Sequence, residues 1–61
     1  MIDVFVVDDE PLLERAYGRM FRSAGLEHEF LLVPQQKRNL IVLTDKILSR
    51  NPRVVLLDNT W

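Results

Sequence analysis

Cysteine is absent from this 61-residue chain, which excludes disulfide staples and thiolate metal sites and leaves the redox compartment open. No apolar run approaches the ~18 residues of a membrane span, and Asp3 and Asp8 break the N-terminal run that could imitate a signal peptide. A cytoplasmic protein without membrane contact is expected. An excess of one charge is missing too. Eight basic and nine acidic residues leave a net charge of −1, with Lys and Arg scattered, so electrostatic capture of nucleic acid is not expected. There is no internal repeat, low-complexity tract or linker, and residues 1–61 are expected to form one domain. A chain this short buries only about 60% of its unfolded surface and is marginally stable, which predicts help from a partner.

What is present is a regular alternation of element types. Ile2 to Val7 is β-branched and apolar at nearly every position, as expected of a central parallel strand covered on both faces. Asp8-Asp9-Glu10-Pro11 then places acidic groups and a proline where a helix start favours them. The inward stripe of that helix is expected to be Leu13, Ala16, Tyr17, Met20 and Ala24, with Gly25 as its C-terminal cap and Leu26 after it. Glu29 to Val33, stopped by Pro34, reads as a short second strand. From Gln35 to Arg50 the apolar positions Leu40, Leu43, Ile47 and Leu48 return to helical spacing, and Asn51-Pro52 ends the segment. Val54 to Leu57 forms the last strand, closed by Asp58. Strand, helix, strand, helix, strand predicts right-handed parallel βαβ units: an α/β fold with a three-stranded parallel sheet in the order 2-1-3 and a helix on each face.

Parallel strands side by side bring Asp8, Asp9 and Asp58 to one edge of the sheet. Taken singly, Asp8 and Asp9 are helix-capping residues and Asp58 is a turn residue. Taken together they are crowded carboxylates that repel one another, and a hard divalent cation is the usual remedy. The pattern predicts an acidic Mg²⁺ pocket in which Asp58 accepts a phosphoryl group. His28, between Glu27 and Glu29, reads as a solvated surface residue, and Arg15, Arg19 and Arg22 as a solvated basic stripe.

Three segments carry a family resemblance: Val6-Val7-Asp8-Asp9-Glu10-Pro11-Leu12, Ala24-Gly25-Leu26, and Asn51-Pro52-Arg53-Val54-Val55-Leu56-Leu57-Asp58. In this order they resemble the N-terminal half of the receiver domains of two-component response regulators, which have a flavodoxin-like fold. The resemblance implies that a histidine kinase or phosphotransfer protein phosphorylates Asp58, so that the chain is an acceptor and not an enzyme. It also implies that Asp9 ligates Mg²⁺, that Asp8 assists, and that Asp58 and the backbone carbonyl of Thr60 complete the protein's share of the coordination.

The chain departs from the family pattern in two places. Asn59-Thr60-Trp61 replaces the usual apolar-x-Met-Pro, and the spacing of 49 from Asp9 to Asp58 (58 − 9) is a few residues long, which an insertion between Val33 and Asn39 would absorb. The segments that supply a hydroxyl residue, a lysine and an aromatic residue in the family have no counterpart here. The strand ending at Asp58 is then an apolar edge, which predicts a homodimer in which such edges are covered, with Trp61 in the contact. The alternative function is that of a non-phosphorylated, truncated receiver serving as an interaction or dimerisation module. The terminal Asp58-Asn59-Thr60 is also similar to the first motif of haloacid dehalogenase-type phosphatases, but their nucleophile would fall on Leu56.

Overall fold

The computed structural model describes residues 2–58. In chain order the elements are β1 (Val4–Asp8), α1 (Pro11–Ser23), β2 (His28–Leu32), a 3-10 turn (Gln35–Lys37), α2 (Leu40–Arg50) and β3 (Val54–Leu57). The strands form one parallel sheet in the order β2-β1-β3, with Val4 opposite both His28 and Val54, and Val7 opposite both Leu31 and Leu57. This is the α/β architecture expected from the alternation of elements. Among the described residues, no helix is long and apolar enough to cross a membrane.

β1 is central because all of its apolar side chains are covered. Side chains alternate across a strand, so Val4 and Val6 face one helix while Phe5 and Val7 face the other. The first pair packs with Phe21, Tyr17 and Phe30. The second packs with Leu43, Ile47, Leu31, Val33 and Val55. One helix therefore lies on each face. The regular ladder starts later than the apolar run, although Ile2 and Asp3 already bond the neighbouring chain segments, their carbonyls accepting from the Arg53 and Val54 amides at 3.3 and 3.0 Å. The Asp3 amide donates to the Glu27 carbonyl (2.9 Å) and the Asp3 carboxylate accepts from the Glu27 amide (3.0 Å).

α1 begins where the acidic run predicts. The Glu10 side chain accepts from the Leu12 amide, and Pro11 occupies a position whose N–H has no helical partner. At the other end the Leu26 amide bonds the Phe21 carbonyl (2.9 Å) and the Gly25 amide the Arg22 carbonyl (3.1 Å). These two bonds make a Schellman motif, with Gly25 at φ +71°, where a side chain would be strained.

The expected inward stripe is corrected by a rotation of the helix. Phe21 and Gly18 are buried and Leu13 and Tyr17 half-buried, whereas Ala16, Met20 and Ala24 are exposed. The aromatic side chains explain the rotation. Tyr17 and Phe21, one turn apart, stack at 5.7 Å, and the helix leans toward β2, where Tyr17 meets Phe30 at 6.5 Å and Phe21 meets His28 at 5.4 Å. The rings of Tyr17 and Phe21 find Phe30 and His28 on β2 to pack against, and burying large rings there removes much apolar surface from water. His28 is accordingly half-buried against Phe21 and not the fully solvated residue expected from its acidic neighbours.

α2 starts later than its apolar spacing suggests. Gln35–Lys37 close a separate 3-10 turn, Arg38 is extended, and the Asn39 side chain caps α2 by accepting from the Ile41 and Val42 amides at 3.0 and 3.2 Å. Asn51, at φ 49°, ends the helix in the left-handed conformation that Asn tolerates, and Pro52 follows. Leu43 is buried and Ile47 half-buried, as expected, but Leu40 and Leu48 lie on the exposed side, 65% and 71% accessible. A three-stranded sheet is too narrow to cover both flanks of the helix.

Candidate functional site

β1 and β3 run in the same direction, so their C-terminal ends lie together. The Asp58 amide donates to the Val7 carbonyl at 2.9 Å, which extends the ladder by one step and sets Asp58 beside Asp8. This is also the place where the order of the sheet reverses. The chain goes from β1 outward to β2, then returns across β1 to β3, with α1 and α2 diverging on opposite faces. Open α/β sheets bind ligands in the crevice that such a reversal leaves at the carboxyl ends of the strands.

Three carboxylates occupy that crevice. Asp8, Asp9 and Asp58 are half-buried, and each offers one oxygen within 4.8 Å of the others. Asp8 is fixed by its own turn, where its Oδ1 accepts from the Asp9 amide (2.8 Å) and the Glu10 amide (3.1 Å). The cap of α1 is Glu10, and Asp8 instead closes the turn that precedes the helix while joining the cluster. The donor set is all carboxylate oxygen, which suits a hard cation such as Mg²⁺ and gives no reason to expect a softer metal. Thr60, expected to add a backbone carbonyl, and Trp61 lie outside the described residues.

A fourth side chain joins the site. Arg38 Nη2 donates to Asp58 Oδ2 at 2.6 Å, a charge-assisted bond between side chains only 12% and 15% exposed. The four side chains sum to −3 + 1 = −2. Sequence reasoning missed Arg38, because its partner lies twenty positions away and no periodicity links them. The one available signal was the extra length between Val33 and Asn39, the segment that carries it.

The other singled-out charges lie elsewhere. Arg15, Arg19 and Arg22 are exposed on α1, and Arg50 Nε pairs with Glu29 at 2.8 Å on the surface. No family model, no curated protein and no solved structure matches the chain.

Proposed function

We propose that the chain is a phosphoryl-accepting module of the two-component type, as the resemblance to receiver domains implies. The convergence of Asp8, Asp9 and Asp58 at the switch point of the sheet is the observation that carries this reading. Asp58 is the acceptor. Asp8 and Asp9, with Asp58, would hold Mg²⁺, which when bound offsets the charge on the transferring phosphoryl oxygens.

In the transfer step a carboxylate oxygen of Asp58 forms a bond to phosphorus as the P–N bond of a phosphohistidine donor breaks. The electron pair of that bond stays on the imidazole nitrogen, and the ring leaves neutral when its other nitrogen carries a proton. The product is an acyl phosphate on Asp58. The two amides that bond the Asp8 carboxylate, and the ladder bond and Arg38 that hold Asp58, keep two of the three carboxylates in place, so that less ordering is left for the moment of reaction.

In this reading the partner is a histidine kinase or phosphotransfer protein, the module works in the cytoplasm, and β3 is covered in a homodimer. A second reading, an interaction module without phosphorylation, is favoured by the apolar side chains exposed on α2 and β3, among them Leu40, Ile41, Leu48 and Leu57. Acetyl phosphate with Mg²⁺ separates the two. Phosphoryl transfer should add one group, mapped to Asp58 by mass spectrometry, released by hydroxylamine and absent from Asp58→Asn. An unlabelled, folded protein would leave the interaction module as the surviving reading.

A further inference from the structure

The Arg38–Asp58 pair has a use beyond holding the site together. We infer that Arg38 is the phosphoryl-contacting cation of this site: it holds the Asp58 carboxylate before transfer and the phosphoryl oxygens during and after it. The inference rests on the reading of Asp58 as acceptor.

Three observations carry it. The first is geometry, since a guanidinium nitrogen already lies 2.6 Å from an oxygen of the acceptor. The planar fork of arginine matches phosphoryl oxygens as well as it matches a carboxylate. The second is placement. The backbone at Arg38 is extended (φ −72°, ψ 133°) between two anchored pieces, a 3-10 turn closed by the Lys37 amide on the Pro34 carbonyl (2.9 Å) and a helix capped by Asn39. With its side chain 12% exposed, Arg38 is ordered before any substrate arrives.

The third is charge. The ionised Asp58 side chain carries −1, whereas its acyl phosphate carries −2. Transfer brings a dianionic phosphoryl group beside this cation, so the cation faces more negative charge in the transition state than in the free protein, which is the condition for raising the rate relative to free protein and donor. A tether that only pinned the β2–α2 connection to the end of β3 would not need to place its charge on the acceptor oxygen.

The test compares wild type, Arg38→Gln and Arg38→Lys in two assays: the initial rate of Asp58 phosphorylation by acetyl phosphate, in which the P–O bond to acetate breaks, and titration with Mg²⁺ alone. Loss of the guanidinium changes the summed side-chain charge from −2 to −3, so Arg38→Gln should bind Mg²⁺ severalfold more tightly while its phosphorylation at saturating Mg²⁺ slows about a hundredfold. Arg38→Lys should recover part of the rate. Opposite changes in metal affinity and rate are a signature that misfolding does not produce. A labelled wild type with an equally fast Arg38→Gln would overturn the role of Arg38 alone. So would a rate that falls together with weaker Mg²⁺ binding and is not recovered by lysine. A wild type that takes no label at Asp58 would overturn this inference together with the function it rests on.

Discussion

Asp9→Asn keeps the shape of the side chain and removes one of three negative charges at the head of the sheet. Asp9 is the clean position for this change, because the turn bonds fall on the side chain of Asp8 and the capping bond on that of Glu10. Two unit charges at 4.8 Å repel by about 0.9 kcal/mol in bulk water and about 3.5 kcal/mol at an effective dielectric constant of ~20. Asp9 faces two such neighbours, is half-buried, and has part of the repulsion offset by Arg38, so the lower end of that range applies. Without divalent cation, Asp9→Asn should therefore be more stable than wild type by about 1 kcal/mol, or roughly 4–8 °C in Tm for a domain of this size. Mg²⁺ reverses the order. At a hundred times its dissociation constant it should stabilise wild type by about 2.7 kcal/mol, and it should do much less for the variant. Thermal melts followed by circular dichroism, in EDTA and in Mg²⁺, check both halves. A variant that melts below wild type in EDTA, or equal gains from Mg²⁺ in the two proteins, would refute the coupling of these carboxylates to a metal.

Two further predictions concern the scaffold. Gly18→Ala should raise the urea midpoint by an amount equivalent to about 0.5–1 kcal/mol, the usual gain for a glycine inside a helix. The added methyl would lie 3.1 Å from Arg22 Nη1, the far end of a flexible side chain that can move aside, and a lowered midpoint would show that it cannot. For the proposed dimer, sedimentation equilibrium should give twice the chain mass for wild type and a shift toward monomer for Val54→Lys, which puts a charge on a half-exposed edge position of β3. A wild type that is monomeric at micromolar concentration would refute that interface.

The parts of this structure legible in the sequence are those set by strand periodicity and local chemistry. Val4 to Val7 could only be a strand covered twice, Gly25-Leu26 could close α1 in a Schellman motif, and parallel strands made the meeting of Asp8, Asp9 and Asp58 a matter of topology. What was not legible depends on which neighbours a side chain finds. Met20 and Phe21 both fit an apolar stripe, and only the position of Phe30 and His28 on β2 decides that Phe21 turns inward. Leu40 and Leu48 keep helical spacing yet face outward, because spacing does not reveal the width of the sheet beneath them. Arg38 is the largest omission at the site, since a long cation can reach any of several carboxylates and the fold alone selects Asp58.

The bond from the Asp58 amide to the Val7 carbonyl ties the last strand of the sheet to its first. Residues 51 positions apart (58 − 7) thus meet across a long loop, and such non-local pairings form late because their entropy cost comes before their reward. During synthesis Asp8 and Asp9 emerge early and wait for a partner that is still to be made. Local opening of β3, an edge strand with half-exposed side chains, would disperse the carboxylates long before the rest of the fold is lost. Metal binding at this site would therefore be a report on the integrity of the whole sheet, and any pull on the end of β3 would be a direct means of silencing it.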